Sequence, residues 1–299
     1  MRIGIQTALQ DTDVDEVAEL WRRAEALGFE WVSGWDHLQG VNGGTSNLDG
    51  VVMHTVAATV TRTARVGALT YCIDYRNIGV IAKAVSTIDR LSNGRVTLGL
   101  GAGYLAAEYD TWGYRLDRPS VRVARLAETV AALRSLFAGE AVHTEGEHIR
   151  LNGAVCDPLP IQQRLPIWIG GGGEQRTIPL AAQVADGWNI PMADPTSFAR
   201  KAALLTTHAE RSGRDPGAIE RSVNLGLCWD TQRIPEVYGP RAAALRPAIL
   251  TGNADEITES LRTYADAGAD WVMISLRSPF DLDDIERFAE EILPEVTSW

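Results

Sequence analysis

The chain has 299 residues, of which 45% are hydrophobic and 22% are charged, and its formal net charge at pH 7 is −11. A chain of this length and composition can bury one large core, and no polar linker divides it, so we predict a single domain over residues 1–299. The acidic balance argues against binding to nucleic acid or to an anionic membrane surface, because both require a basic face.

The cysteines and the first residues indicate the cellular compartment. Cys72, Cys156 and Cys228 are odd in number, far apart and outside any C-x-x-C arrangement, so we expect neither a disulfide framework nor a zinc site. No histidines and carboxylates have metal-ligand spacing, and no metal site is expected. The chain shows no leader-like apolar region and no run of roughly 18 apolar residues, so we expect a soluble, cytoplasmic protein.

Strand-like and helix-like segments alternate along the chain. The first unit is a strand over Arg2–Thr7 and a helix over Asp13–Leu27, which Gly28 ends. Seven further pairs follow, over Trp31–Asp36 and Leu48–Thr61, Val66–Cys72 and Ile78–Leu91, Val96–Leu100 and Ser120–Phe137, Ile167–Ile169 and Gln175–Ala185, Trp188–Ile190 and Thr196–Ser212, Val223–Cys228 and Asp255–Ala267, and Trp271–Ser275 and Leu282–Leu293. Eight such pairs favour an α/β fold closed as a (β/α)8 TIM barrel over an open doubly wound sheet.

Two segments exceed ordinary barrel connections, one after the fourth helix and one after the seventh strand. Ala141–Pro160 contains VHTEGEHIRL, which predicts a small hairpin turning at residues 145–147. Thr231–Asn253 is proline-rich and partly helical, and it follows the carboxyl end of a strand, where barrel active sites are assembled. We expect it to form a lid or a substrate wall. For both segments the alternative is a decoration that covers hydrophobic surface.

A glycine run lies between the fifth strand and its helix. Pro166–Ile169 predicts a buried strand, Gly170–Gly173 follows, and the helix is expected to begin at about Glu174. Glycines allow backbone N–H groups to converge on a ligand, and the amino end of a helix carries a partial positive charge. The run therefore predicts an anion site suited to phosphate, with a structural linker as the alternative. Neither a Walker A lysine nor a G-x-G-x-x-G motif accompanies it.

Titratable residues follow the other early strands. The segments are SGWDHLQ at 33–39, TYCID at 70–74 and GLGAGY at 99–104, with Glu108 downstream. His37 comes directly after Asp36 at a strand end, and a histidine there can act as a general acid or base, although a packing role is the alternative. The remaining histidines lack such a position and are predicted to lie on the surface or on helix faces; they are His54, His143, His148 and His208.

Four segments carry a resemblance to a known family. They are WVSGWDH, AKAVSTIDRLSNGRVTLGLGAGYLAAEYDTWGY, PIWIGGGGEQRTIPLAAQVADGWN and DAGADWVMISL, in that order along nearly the whole chain. This set resembles the luciferase-like monooxygenase superfamily, and within it the branch that uses the 8-hydroxy-5-deazaflavin coenzyme F420. The motifs are specific for the superfamily and less decisive between F420 and FMN.

The resemblance implies a barrel whose cofactor ring lies across the carboxyl-terminal mouth and whose phosphate tail runs to the glycine loop. By position, the phosphate would be held by Gly171, Gly172, Gly173, Glu174, Gln175 and Arg176. The cofactor path would be lined by Gly101, Ala102, Gly103 and Tyr104, and a non-prolyl cis peptide supporting the ring would fall near Leu69, Thr70 and Tyr71.

The resemblance also implies a role for the Asp-His pair. Asp36 and His37 match the pair that contacts the ring and donates a proton in the glucose-6-phosphate dehydrogenase of this branch, so His37 is the expected catalytic acid or base. Tyr104 stands where that enzyme has a second acid/base, a glutamate, and its sugar-phosphate activity is not carried over.

The implied function is that of an F420-dependent oxidoreductase transferring a hydride between the deazaflavin and a small-molecule substrate. A two-component monooxygenase using reduced FMN is the main alternative, and a non-catalytic flavin-binding barrel is a third. The sequence leaves open whether the protein forms a homodimer.

Overall fold

A closed parallel sheet forms the centre of the protein. The computed structural model describes residues 1–41 and 43–299. The strands are β1 Arg2–Thr7, β2 Trp31–Gly34, β3 Arg65–Cys72, β4 Val96–Gly101, β5 Val142–Glu145, β6 Arg150–Ala154, β7 Ile167–Gly170, β8 Gly187–Pro191, β9 Glu220–Leu227, β10 Ile249–Leu250 and β11 Trp271–Leu276. Parallel pairing runs from β1 through β2, β3, β4, β7, β8, β9 and β11 back to β1. The pairing of β8 with β9 closes the ring, which confirms the (β/α)8 barrel and excludes the open sheet.

Helices surround this barrel. They are α1 Val14–Ala26, α2 Gly50–Val60, α3 Ile78–Leu91, α4 Ala106–Thr111, α5 Pro119–Phe137, α6 Thr177–Val184, α7 Pro195–Arg211, α8 Ile234–Tyr238, α9 Ala242–Leu245, α10 Ala254–Asp266, α11 Leu282–Glu291 and α12 Leu293–Val296. Capping side chains fix several starts: Asp13 accepts a hydrogen bond from the Glu16 N–H, and Asn253 forms a reciprocal capping box with Glu256. The eight predicted helices are present, whereas α4, which follows β4, was not predicted.

Tryptophans fill the amino-terminal end of the barrel. Trp31 and Trp271 are the first residues of β2 and β11, and Trp168 is the second residue of β7. The Trp31 ring packs edge-on against the other two, with ring centroids 4.9 Å from Trp168 and 5.3 Å from Trp271. The barrel is therefore closed at this end, and a ligand can enter only from the carboxyl-terminal mouth.

Both predicted insertions are present. Antiparallel β5 and β6 form the predicted hairpin, but Glu145 pairs with Arg150, so the turn spans residues 146–149 rather than 145–147. The segment after β9 is partly helical, as predicted: it contains α8, α9 and short 3-10 turns, and its strand β10 pairs with β9. Within the described part of the chain, no helix has both the length and the apolar content needed to span a membrane.

Candidate active site

A cavity of about 810 Å³ opens at the carboxyl ends of the barrel strands, a volume in the range of small-molecule sites. Its wall draws on residues from around the ring, including Gln6, His37, Thr70, Tyr104, Gly172, Asn189, Asn224, Arg241, Ser275 and Arg277. Tyr238, Arg241 and Leu245 come from the excursion after β9, so that segment forms part of the cavity wall, as predicted.

Many of the residues predicted from the sequence meet at this cavity. The wall includes Asp36, His37, Leu69, Thr70, Gly101, Ala102, Gly103, Tyr104, Gly171 and Gly172. Five predicted cofactor residues are not part of it: Tyr71, Gly173, Glu174, Gln175 and Arg176.

His37 is held in the wall by a buried acid. Its Nδ1 lies 3.0 Å from Oε2 of Glu108, and its side chain is 11% exposed while that of Glu108 is fully buried. The Trp35 ring packs edge-on against the imidazole, with centroids 5.1 Å apart, and the Tyr104 ring lies 6.0 Å away. With Nδ1 occupied by Glu108, the other ring nitrogen, Nε2, is the one left to meet a ligand.

Glu108 is ionised despite its burial. Burial alone would raise the pKa of this carboxyl, but hydrogen bonds from His37, the Tyr75 hydroxyl and the Leu38 N–H outweigh burial, so the pKa is lowered. The carboxylate lies on α4, 71 residues from His37 in sequence. Sequence reasoning noted Glu108 only as a downstream acid; its position four residues after Tyr104 was the available signal.

Asp36 has a different role from the ring contact that the resemblance implies. Both of its carboxylate oxygens accept hydrogen bonds from Nη1 of Arg76, at 2.9 and 2.8 Å, and Oδ2 also accepts from the Cys72 N–H. Burial raises the pKa of Asp36, and Arg76 opposes that effect. Because the carboxylate is fully used within the protein, Asp36 ties the ends of β2 and β3 together next to His37.

The peptide bond between Leu69 and Thr70 is cis, as expected for this position. The Thr70 side chain fits between two glycines. A Cβ on Gly101 would lie 2.5 Å from Thr70 Oγ1, and one on Gly170 would lie 2.6 Å from Thr70 Cγ2. No larger residue fits at either glycine without displacing Thr70, so both glycines allow the backbones to approach closely.

Tyr71 faces away from the cavity, contrary to the prediction. Its hydroxyl lies 2.7 Å from Nδ1 of His54, which is on α2, and both side chains are buried. Successive side chains on a strand point to opposite faces, so Tyr71 must face the helices if Thr70 faces the cavity. His54 thus lies on a helix face, as predicted, but inside the core. Burial lowers its pKa to about 4 and leaves the imidazole neutral at pH 7.

The glycine loop differs in detail from the prediction. Helix α6 begins at Thr177 rather than near Glu174. The Glu174 carboxylate forms ion pairs with Arg200 at 2.7 Å and Lys201 at 2.9 Å, which turns it away from the cavity. Lys201, which the sequence analysis missed, also donates to the Gly172 carbonyl at 2.5 Å and lines the cavity. The basic group nearest this loop therefore comes from α7, and the predicted Gln175 and Arg176 are exposed.

Amide and hydroxyl side chains on the barrel strands form a further part of the wall. Asn189 donates to Asn224 at 2.7 Å, and Ser275 donates to Gln6 at 2.7 Å. All four line the cavity, and the three amides are almost fully buried. Polar residues within apolar strands were the signal in the sequence, since a buried amide needs hydrogen-bond partners and a ligand can supply some of them.

Comparison with known proteins places the chain in a family. The model of the luciferase-like monooxygenase family matches residues 1–234, which is most of the chain. The chain belongs to the luciferase-like monooxygenase family. This confirms the resemblance, and the barrel with its site at the carboxyl-terminal mouth is the family's architecture in this protein.

Curated relatives in this family include F420-dependent enzymes. The F420-dependent glucose-6-phosphate dehydrogenase of Nakamurella multipartita is 28% identical, over 99% of this chain and 96% of that protein. The 5,10-methylenetetrahydromethanopterin reductase of Methanolobus tindarius is 27% identical, over 87% of this chain and 74% of that protein. The luciferase-like chain described here is similar in sequence to both reductive and dehydrogenating enzymes.

Solved structures with the luciferase-like fold carry both cofactor types. An F420-dependent secondary alcohol dehydrogenase in complex with an F420-acetone adduct superposes with a TM-score of 0.88 at 20% identity, covering 97% of this chain and 98% of the other. The oxygenating constituent of 3,6-diketocamphane monooxygenase of Pseudomonas putida, in complex with FMN, has a TM-score of 0.80 at 13% identity, covering 99% and 98%. At these identities the likeness establishes the fold.

Proposed function

We propose that this protein is an F420-dependent oxidoreductase that transfers a hydride between the deazaflavin and a small organic substrate. The observation that carries the proposal is the His37 and Glu108 pair in the wall of a blind cavity. The F420-dependent relatives along nearly the full chain support the choice of cofactor.

The cavity fits a flavin-like group. Its volume of about 810 Å³ is large enough for a three-ring system and part of a tail, and the buried amides of Gln6, Asn189 and Asn224 offer donors and acceptors to a polar ring edge. Gly171 and Gly172, with Thr177 and Lys201, would hold the phosphate, since N–H groups, a hydroxyl and an ammonium are all phosphate donors. Bound F420 supplies a carbon that accepts or releases a hydride.

His37 is suited to moving the accompanying proton. When its Nδ1–H donates to the ionised Glu108, Nε2 carries a lone pair and can accept the proton of a substrate hydroxyl as an alcohol is oxidised. In the reverse direction the imidazolium returns that proton to the oxygen of a carbonyl. Glu108 acts through His37, because its carboxylate orients the ring and stabilises the positive charge that forms on it.

A reduced-FMN monooxygenase is the second candidate, and the FMN-containing structural neighbour favours it. Side-by-side fluorescence titration of the purified protein with F420 and FMN distinguishes the two. We expect F420 to bind at least tenfold more tightly, a difference of about 1.4 kcal/mol. Equal or inverted affinities would overturn the F420 proposal. Binding of either cofactor without turnover of any alcohol, aldehyde or activated alkene would favour a non-catalytic barrel.

A further inference from the structure

The cavity wall contains cations that the protein does not neutralise. Four cationic side chains other than histidine line it: Arg122, Lys201, Arg241 and Arg277. Arg122 donates to the carbonyls of Gly103 and Asp117, and Lys201 pairs with Glu174. Within residues 1–41 and 43–299, Arg241 and Arg277 form no hydrogen bond or ion pair through their guanidinium groups.

The acids of the wall cannot serve as their partners. Asp36 is bound by Arg76, and Glu108 is bound by His37, Tyr75 and the Leu38 N–H. The two free guanidinium groups therefore contribute positive charge to the mouth of a protein whose net charge is −11. A local excess of one charge in a concave site raises the local concentration of ligands with the opposite charge.

Arg241 and Arg277 come from different elements and converge on the same part of the wall. Arg241 lies between α8 and α9 in the excursion after β9, whereas Arg277 directly follows β11. Burial lowers the pKa of Arg277 and the positive charge of Arg241 lowers it further, so the two groups are close enough to repel each other. Arg277 also lies over the Tyr238 ring, 5.8 Å from its centroid. An anion between the two arginines would remove this repulsion.

Tyr104 connects this cationic pair to the proposed proton-transfer residue. Its ring lies 6.0 Å from the His37 ring, and both guanidinium groups act on its phenol, whose pKa is raised by burial and by Glu108 and lowered in part by the two arginines. The glycine loop belongs to another sector, because β8 and β9 separate β7 from β11 in the barrel order. The cation pair is thus distinct from the site proposed for the cofactor phosphate.

We propose that Arg241 and Arg277 bind a carboxylate or phosphate group of the substrate, so that the enzyme acts on anionic alcohols or carbonyl compounds. The reacting carbon of such a substrate lies toward His37 and its anionic group toward the arginine pair. The identity of the reaction rests on the proposed function, whereas anion binding by the pair does not. The anionic groups of a cofactor tail have the same chemistry, so the test must separate the two sources.

The test compares the double variant Arg241→Gln/Arg277→Gln, and each single variant, with Arg246→Gln as the matched control. Arg246 is an exposed arginine in the same excursion that does not line the cavity. Inorganic phosphate is titrated into protein saturated with F420, so that the glycine loop is occupied, and thermal midpoints are recorded with and without phosphate. We expect phosphate to bind wild type and Arg246→Gln and to raise their midpoints, and binding to the double variant to fall at least tenfold.

The cofactor arm measures the Kd of F420 itself. We expect it to change less than threefold in the double variant; a tenfold loss with phosphate binding unchanged would assign the arginines to the cofactor tail and overturn the proposal. If F420 does not bind at all, the proposed function fails, and the phosphate titration on the protein alone still decides whether the pair binds an anion. Equal phosphate affinity in wild type and the double variant would overturn it there.

The substrate arm uses matched pairs of compounds that differ in one anionic group: lactate with isopropanol, and glycerol 3-phosphate with glycerol. We expect F420 reduction to favour the anionic member by at least tenfold in kcat/KM, and this preference to disappear in the double variant through a higher KM. Turnover of the neutral members at equal or higher kcat/KM in wild type would contradict the substrate class while leaving the oxidoreductase itself intact.

Discussion

The two ends of the barrel both carry charged groups, but only one end neutralises them. At the closed amino-terminal end, Glu220 accepts hydrogen bonds from Arg2, Arg65 and Trp271 Nε1. The guanidinium groups of Arg2 and Arg65 also lie over the Trp271 ring, 4.3 and 4.9 Å from its centroid. At the open end, Arg241 and Arg277 have no partner among the described residues, and His37 faces the cavity.

The difference separates stabilising charges from functional ones. A network whose charges match within the chain contributes to the folded state whether or not a ligand is present. A set of charges with a missing partner costs stability, and folds retain such sets where a ligand completes them. Substitutions at the closed end should therefore change the free energy of unfolding, and substitutions at the open end should change binding or turnover.

The largest expected effect is on turnover at the open end. Replacing His37 with Ala removes the proposed proton acceptor, so kcat should fall by roughly a hundredfold to ten-thousandfold, the usual range for a positioned acid or base. The Kd of F420 should change much less. His143→Ala, at an exposed position on β5, is the control and should behave like wild type. Unchanged turnover in His37→Ala would refute the proton-transfer role.

The next largest effect concerns the closed end. Glu220→Gln removes the negative charge that Arg2 and Arg65 share, and we expect a loss of about 1–3 kcal/mol in the free energy of unfolding, less than for fully buried pairs because all three side chains are partly exposed. Denaturant unfolding measures it, with Glu286→Gln in the surface pair with Arg23 as the control. F420 affinity should not change, and a loss no larger than that of the control would contradict the stabilising role.

The same network predicts a pH dependence. Burial would raise the pKa of Glu220, but Arg65, Trp271 and Arg2 outweigh it, so the pKa lies below the ordinary 4.5. A lowered pKa gives stability that is complete above pH 4.5 and is lost as pH falls through the folded-state value. Unfolding measured from pH 7 to 3 should show a shallower acid slope in Glu220→Gln than in wild type. Identical slopes would mean that other carboxylates account for the acid sensitivity.

An intermediate effect is expected at Glu108. Glu108→Gln keeps the shape but removes the negative charge beside His37, so kcat should fall by about tenfold to a hundredfold with F420 affinity nearly constant. Tyr75→Phe deletes only the hydroxyl that donates to the same carboxylate and should have a smaller effect. If both variants lose activity only in proportion to lost folded protein, Glu108 has a structural role alone.

The smallest effect should come from the glycine loop. A Cβ on Gly172 would meet the flexible end of Ile190 at 2.8 Å and would lie 3.4 Å from Lys201 Nζ, inside the proposed phosphate site. Gly172→Val should weaken F420 binding about tenfold and leave the stability of the cofactor-free protein nearly intact. Gly173→Val is the matched control, because Gly173 does not line the cavity. Equal losses in both variants would show that the loop has only a structural role.

The sequence predicted the barrel and the strand ends that form the mouth. Strand and helix periodicity depends on local spacing, and parallel strands place their carboxyl ends together, so His37, Thr70 and Gly172 could be assigned to one site. The partners of these residues could not be assigned. Glu108 reaches His37 across 71 residues, and Glu174 turns outward because Arg200 and Lys201 of α7 lie beside it. Side-chain pairing between elements has no periodic signature in one sequence.

The cationic pair shows the same limit. Arg241 and Arg277 lie on separate loops after β9 and β11, and each is an ordinary arginine in the sequence. Only the closure of the barrel brings them into one wall, and only a complete survey of their neighbours shows that they have no carboxylate partner among the described residues.

The most direct test of the central claim is the oxygen dependence of turnover. Hydride transfer to F420 needs no O₂, whereas a reduced-FMN monooxygenase incorporates an oxygen atom from it. Wild-type protein is assayed with F420 and with reduced FMN, using the matched alcohols, in air and under strictly anaerobic conditions. We expect F420 to be reduced at the same rate in both atmospheres, with stoichiometric oxidation of the alcohol. Turnover only with reduced FMN, and only when O₂ is present, would contradict the assignment.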